Sequence, residues 1–403
     1  MQTRQISKII STIGTPCFVY EEDVLLENIN RILVAAEKFD LHNRIKIYVA
    51  YFANSNPHLF QIIKDMGAGI LLQSQEEYEQ IKRFKLTNKV VVSPSFLSDE
   101  EINYWNQNNV IINLASLEEI KYFVNKFNAA PSFRIDLTES SKQRTAIKKY
   151  QLRELTEFLS QKNIIPRSLH IYIGTGSSLV KTKSNFLKVL NLWRQYFPNT
   201  KEINLGGGFA FDYNNLDKNK KHFNWESYFE FISRKIKQLD IPKDVIFVLE
   251  PGRDILADAG SLIVSVARVV SQKDKRNIGT DGSYVYMPSA TIRRRQHQLT
   301  FLGKNFQEIK NFDNVSGVLS GCTTLSSDYL FPGEVKVPAK LKEGDYIIVR
   351  DIGAYGATQH MEFLNKKPAP EVLIKSNGEA YLITQRGRDD DKIRYLINKP
   401  KQI

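Results

Sequence analysis

Three short segments of this chain bring together residue types that hold anions. Leu205-Gly206-Gly207-Gly208-Phe209 closes a β-rich run. Three glycines leave room for backbone amides to approach a phosphate, although a glycine triplet also suits a plain tight turn. Glu250-Pro251-Gly252-Arg253 follows another such run, as a charged site at a turn or as a simple Glu-Arg ion pair. Ile292-Arg293-Arg294-Arg295-Gln296-His297 sets three arginines in a row. Their bidentate donors suit carboxylates or phosphates, and a solvated basic loop is the other reading. His297 stays open between the two.

The elements that must position these residues can be read from periodicity. Between about residues 23 and 265, short β-rich apolar runs alternate with longer amphipathic stretches, the pattern of parallel strands joined by helices. The strands expected are Ile45 to Tyr51, Gly69 to Leu72, Val90 to Val92, Val110 to Ile112, Ser132 to Asp136, Ser168 to Ile173, Glu202 to Leu205 and Val245 to Leu249. Eight such units predict an α/β fold, a (β/α)8 TIM-like barrel over 23–265. At the C-terminal end of a barrel strand, the glycine triplet favours the phosphate reading. Ser98-Asp99-Glu100-Glu101 and Ser116-Leu117-Glu118-Glu119 predict helix starts, each with an N-cap serine and acids in the first turn. After Gly260, alternating β-branched and polar residues in Ser261 to Val270, Val315 to Leu319, Tyr346 to Arg350 and Glu371 to Ile374 predict a C-terminal antiparallel β domain. The expected division is 23–265 for the barrel and 1–22 with 266–403 for the β domain.

Composition narrows the function classes. The chain has 403 residues, 42% of them hydrophobic, enough for one large core and a smaller one. No apolar run reaches the roughly 18 residues needed to span a bilayer, and the first ten residues lack the features of a secretory signal. Cys17 and Cys322 alone cannot build a disulfide framework or a thiol cluster, so a reducing cytoplasm and no metal are expected. The net charge of +12 is scattered in short pieces not interleaved with aromatic residues. Nucleic acid is therefore not an expected partner, nor is a membrane.

The order and spacing of the motifs, from about Thr15 to Ile374, resemble the fold type III (alanine racemase-like) pyridoxal 5'-phosphate (PLP) decarboxylases, the diaminopimelate, ornithine and arginine decarboxylases. Thr15-Pro16-Cys17-Phe18-Val19-Tyr20 is similar to the opening strand that pairs with the C-terminal domain in that family. The resemblance implies that Glu250 pairs with the pyridine nitrogen. It also implies that Gly206, Gly207, Gly208, Gly252 and Arg253 lie at the phosphate, with Thr175 and Gly176 of Ile173-Gly174-Thr175-Gly176-Ser177 and Tyr355 of Gly353-Ala354-Tyr355-Gly356. Arg134 matches an arginine near the cofactor. His170 matches an often-present histidine, with a purely structural role equally open. Asp281-Gly282 with Tyr284 resembles the start of an active-site loop, and Arg293 and Arg294 fall where substrate carboxylates are bound. A homodimer and a small ligand bearing phosphate or carboxylate are implied.

Departures from the family pattern cluster on chemistry. In Ile45-Lys46-Ile47-Tyr48-Val49-Ala50-Tyr51-Phe52-Ala53-Asn54, Phe52 stands where the family has its Schiff-base lysine. Leu71 replaces the acid beside that lysine, and Tyr172 replaces the histidine that stacks on the ring. In Gly321-Cys322-Thr323-Thr324-Leu325-Ser326-Ser327-Asp328, Thr324 takes the place of the catalytic cysteine and Leu325 that of the adjacent acid. Ser326 and Asp328 remain, Asp328 being assigned to substrate. Lys46 lies six residues back, some 20 Å at about 3.3 Å per residue, too far to serve. A charge left alone in a buried site costs several kcal/mol, so paired loss of the amine and its carboxylate is coherent. Three functions follow: a homologue that holds PLP non-covalently without conventional decarboxylation, an amino-acid decarboxylase and carbon-carbon lyase working through non-covalent PLP, or different chemistry on a phosphorylated or carboxylated ligand.

Overall fold

Short runs of valine, isoleucine and leucine form strands where they are buried on both faces, and the amphipathic stretches between them form the covering helices. In the computed structural model, described for residues 1–138, 145–214, 217–272, 275–292, 295, 297–310, 315–330 and 333–388, the chain divides into two units. The first strand, β1 (Cys17–Glu21), belongs to the second unit.

The barrel unit comprises Leu26–Phe211 and His222–Ile255. Its strands are β2 (Ile45–Ala50), β3 (Gly69–Leu72), β4 (Val90–Val92), β5 (Ile111–Leu114), β6 (Ser132–Ile135), β7 (Ser168–Ile171), β8 (Glu202–Asn204) and β9 (Ile246–Leu249). All neighbours run parallel and β9 closes on β2, as the alternating pattern predicts. Several strands stop one or two residues before the expected runs do. Tyr51, Asp136, Tyr172, Ile173 and Leu205 lie just beyond the ladder, where the chain turns towards the next helix.

Capping explains the helix starts. Ser98 and Glu101 form a reciprocal capping box for the helix Asp99–Gln107, and Ser116 accepts from Glu119 N at the head of Leu117–Phe127. Each exposed helix contributes an apolar stripe: Ile102 and Trp105 of the first of these are buried. Phe186 packs against Tyr228, Phe231 and Phe247, joining the helices Leu179–Tyr196 and Trp225–Gln238 to the wall of the barrel. Burying one such side chain contributes about 1.5–3 kcal/mol.

The second unit contains the described residues of Met1–Leu25, Asp212–Lys221 and Leu256–Ile403. Its further strands are β10 (Gly260–Gln272), β11 (Lys275–Thr280), β12 (Leu299–Leu302), β13 (Ser316–Ser320), β14 (Val335–Lys336), β15 (Tyr346–Val349), β16 (Glu371–Ile374) and β17 (Ala380–Thr384). They form one sheet in the order β14-β13-β11-β10-β1-β16-β17, with β15 also on β10 and β12 on β15. The expected β domain is present, but its sheet is mixed. β1 inserts between β10 and β16, antiparallel to the first and parallel to the second, and β11 pairs parallel with β13. The helix Thr3–Ile13 covers this sheet, burying Ile6, Ile9 and Ile10 with Cys17, Val19, Ile263, Ile348 and Val372. Among the described residues no helix is long and apolar enough to cross a membrane.

Candidate functional site

The C-terminal ends of the barrel strands assemble a buried polar network where aliphatic residues would otherwise fill the lumen. Glu250 follows β9 and is 4% exposed. Its Oε1 accepts from Asn204 Nδ2 at 2.7 Å, and its Oε2 lies 3.1 Å from His170 Nε2. Arg134 Nε donates to His170 Nδ1 at 3.2 Å, and Arg134 Nη2 to Ser93 O at 3.0 Å. Because Nδ1 of His170 accepts, its proton sits on Nε2 and is donated to Glu250. Arg134 and His170 are in-register partners on β6 and β7, which places both side chains on the lumen face.

Electrostatics agree with that tautomer. Burial is the largest influence on His170 and pushes its pKa below the ordinary 6.5, against the pull of Glu250, so the imidazole is neutral. Burial would raise Glu250, but the His170 and Asn204 donors and the Arg134 charge outweigh it and hold the carboxyl below its ordinary range. The network therefore presents one ionised carboxylate, backed by one guanidinium, at the end of the barrel.

Two glycine turns flank that carboxylate. Gly206 has φ +67°, and a Cβ there would stand 2.0 Å from Ile171 O. Gly208 has φ +96°, and its Cβ would stand 2.1 Å from Gly174 O. Only glycine permits this approach of two backbones. Ser177 N donates to Gly208 O at 2.8 Å and Gly206 N to Asn204 Oδ1 at 2.9 Å, locking the turns together and to the network. The backbone N–H groups of Thr175, Gly176, Gly207 and Gly208 find no acceptor among the described residues. Four free amides on two adjoining turns form a nest for an anion. Tyr172, 42% exposed, points its hydroxyl at Thr175 Oγ1, 3.0 Å away.

Phe52 occupies the 3-10 turn Tyr51–Ala53 directly after β2 and is half-buried. Ala50 N donates to Pro251 O at 3.0 Å, and a Cβ on Gly252 would stand 3.0 Å from the Ala50 Cβ and 3.1 Å from the Ala53 Cβ. The Phe52 turn is thus pinned beside Glu250-Pro251-Gly252. Leu71 pairs with Ala50 across β2 and β3 and is buried. Lys46, at the opposite end of β2, is paired with Glu202 at 2.9 Å.

The structure therefore brings Arg134, Tyr172, Thr175, Gly176, Gly206, Gly207, Gly208, Glu250 and Gly252 to one end of the barrel, with Arg253 opening the helix Arg253–Leu256. Tyr355 and Asp328 belong to the second unit. Tyr355 adopts φ +61°, and its carbonyl accepts from Ser289 Oγ. The carboxylate of Asp328, expected to reach substrate, is buried and taken up by Ser283 Oγ, Tyr284 N and Thr323 N. It shapes its own loop. Thr324 and Leu325 are exposed on that loop, and burial pushes the Cys322 thiol up. His297 Nδ1 donates to Arg350 O at 2.8 Å within the second unit, and Arg293 and Arg294 lie outside the described residues. Sequence reasoning missed Asn204 and Ser93. Asn204 carried one usable signal, an amide two residues before the glycine triplet on a lumen-facing strand position.

Comparison with known proteins matches residues 26–257 to the family described as "Pyridoxal-dependent decarboxylase, pyridoxal binding domain". The diaminopimelate decarboxylase of Buchnera aphidicola subsp. Baizongia pistaciae is 23% identical over 98% of this chain and 96% of its own length. A diaminopimelate decarboxylase structure from Helicobacter pylori, complexed with L-lysine, superposes with a TM-score of 0.83 at 19% identity, covering 97% and 98% of the two chains. A lysine/ornithine decarboxylase from Vibrio vulnificus, complexed with putrescine, gives 0.78 at 18% identity over 94% and 98%.

Proposed function

The chain belongs to the fold type III pyridoxal-dependent decarboxylases, and from that premise we propose that it binds PLP without a covalent link and acts on an amino acid as a decarboxylase of the diaminopimelate or ornithine type. The residues present fit the cofactor at two of its three anchoring points. The ionised, buried Glu250 suits a protonated ring nitrogen, and the free amides of Thr175, Gly176, Gly207 and Gly208 suit a phosphate dianion. The third point, an amine for the aldehyde, is missing at Phe52. When bound, PLP supplies an electron-withdrawing ring that takes up the electron pair released as a carboxylate departs.

The chain's own residues then have separable roles. Glu250 holds a proton at the ring nitrogen, and His170, fixed by Arg134, keeps that carboxylate aimed and ionised. The Gly206–Gly208 and Gly174–Gly176 turns bind and orient the phosphate. Tyr172 offers an aromatic face in place of the family's imidazole. Phe52 excludes water from its side of the site but cannot displace a bound product, so release is the slow step and turnover is low. The observation that carries this reading is the intact Arg134-His170-Glu250-Asn204 network beside a phenylalanine.

Leu71, Thr324 and Leu325 favour a second reading, a protein that holds PLP or a related phosphorylated compound without turnover. Carbon dioxide release from diaminopimelate, ornithine, lysine and arginine, with added PLP, decides between them. Slow release from one of these, abolished by Glu250→Ala, supports the lyase. Binding of PLP with no release from any supports the holder. We further propose a homodimer, tested by analytical ultracentrifugation at micromolar concentration, in a reducing cytoplasm, tested by localisation of a tagged chain.

A further inference from the structure

Lys181 is the third residue of the helix Leu179–Tyr196, which begins immediately after the Gly174–Ser177 turn. Ser178 caps that helix, accepting from Lys181 N at 3.4 Å. Helical side chains lean towards the N-terminus, so the lysine stem runs back over the turn that precedes it. It reaches that turn: a Cβ built on Gly174 would stand 3.3 Å from Lys181 Nζ. Among the described residues no carboxylate lies within ion-pair distance of this ammonium, whereas Lys46, Lys148 and Lys221 are each paired with an acid.

The surrounding chemistry favours an anion. The helices Gln75–Arg83, Asp99–Gln107 and Leu117–Phe127 carry acids in their first turns, which neutralise the positive end of the helix dipole. The first turn of Leu179–Tyr196 has none. Beside Lys181 stand the free N–H groups of Thr175 and Gly176, and a Cβ on Gly176 would meet nothing within 4 Å, so the space above this turn is open. Gly208, with its own free amide, abuts Gly174 from the neighbouring turn.

We propose that Lys181 is a phosphate-positioning residue of this chain, its ammonium binding the phosphate dianion held by the amides of Thr175, Gly176, Gly207 and Gly208. The inference rests on the PLP reading above and adds a cation to it. Such a contact replaces part of the anchoring that Phe52 cannot provide. A dianion held by amides and one ammonium is retained through its phosphate, so affinity depends on the phosphate group more than on the aldehyde.

The test is a fluorescence titration of the full-length protein with PLP, pyridoxal and inorganic phosphate, for wild type, Lys181→Met and Lys181→Arg. Lys181 is exposed, so neither variant disturbs a core. Losing one charge-assisted hydrogen bond predicts about a ten-fold weaker affinity for PLP in Lys181→Met. Pyridoxal affinity should not change, competition by inorganic phosphate should weaken, and Lys181→Arg should recover most of the loss. Equal PLP affinity in wild type and Lys181→Met overturns the assignment, as does an equal loss for PLP and pyridoxal. A cofactor adduct on Lys181 after borohydride also overturns it, because the amine then meets the aldehyde. If wild type binds no PLP at all, the underlying reading fails, and that result is distinct from the others.

Discussion

Replacing His170 by leucine isolates the neutral, Nε2-protonated imidazole on which the site depends. The change removes the acceptor of Arg134 Nε and the donor to Glu250 Oε2 together. Bonds to charged groups contribute about 1.5–3 kcal/mol each, and breaking a buried charged network costs roughly 3–5 kcal/mol, so the variant should lose about 3–5 kcal/mol at pH 7.5. The cost depends on pH with a definite sign. Burial lowers the folded pKa of His170 below the ordinary 6.5. As pH falls through 6.5 the unfolded chain gains a proton that the folded chain refuses, so wild type loses stability on acidification. One proton corresponds to about 1.4 kcal/mol per pH unit. His170→Leu lacks this uptake, so the gap between variant and wild type should narrow by up to about 1.4 kcal/mol between pH 6.5 and 5.5. Urea unfolding followed by tryptophan fluorescence reads this cleanly, because Trp105, Trp193 and Trp225 are the chain's three tryptophans and all lie in the barrel unit. His360, whose pKa is also lowered by burial, lies in the other unit and is common to both proteins. A gap that stays constant from pH 7.5 to 5.5 would refute the neutral, donating His170.

Other outcomes follow from the same geometry. Glu250→Gln should weaken PLP binding by about ten-fold or more by removing the charge that favours a protonated ring nitrogen. It should also remove the stability that wild type loses as pH drops below about 4.5, the ordinary value from which Glu250 is depressed; acid-limb urea midpoints check this. Phe52→Lys should give a borohydride-fixable cofactor adduct at residue 52 on peptide mapping. Paired with Leu71→Asp it should recover some of the ~1–3 kcal/mol that a lone half-buried amine costs, because the new carboxylate gives the amine a partner. Gly208→Ala should destabilise the barrel by more than the ~1–2 kcal/mol of a left-handed residue, since its Cβ would also stand 2.1 Å from Gly174 O; urea midpoints measure the loss.

The barrel was legible because each strand is a burst of aliphatic residues between capped amphipathic helices, and Val90–Val92 or Gly69–Leu72 could be bounded to the residue. The mixed sheet was less legible. The aliphatic runs of β10 and β15 mark strands, and residues 262–264 and 347–349 are buried throughout instead of alternating, but strand direction depends on which partner β1 slots beside, and no local pattern encodes that. Glu250 and the glycine triplet stood out because charge and missing side chains at strand ends are rare in a core. His170 did not, since its role depends on the register that places it opposite Arg134. The surroundings of Asp328 were hidden for a related reason. A surviving acid next to replaced neighbours resembles a ligand contact, yet the tight loop around it turns three local donors inwards. Lys181 escaped notice because its partner is a turn seven residues earlier that only the folded helix brings under its stem.

We propose that this barrel holds a phosphorylated pyridine cofactor and cannot anchor it covalently. Native mass spectrometry of the full-length protein incubated with PLP, before and after borohydride, tests it most directly. The expected result is a mass increase of one PLP per chain that is lost on denaturation in both cases, with no modified lysine on peptide mapping. A borohydride-stable adduct on any lysine, or no bound PLP at a concentration that saturates Phe52→Lys, would contradict it.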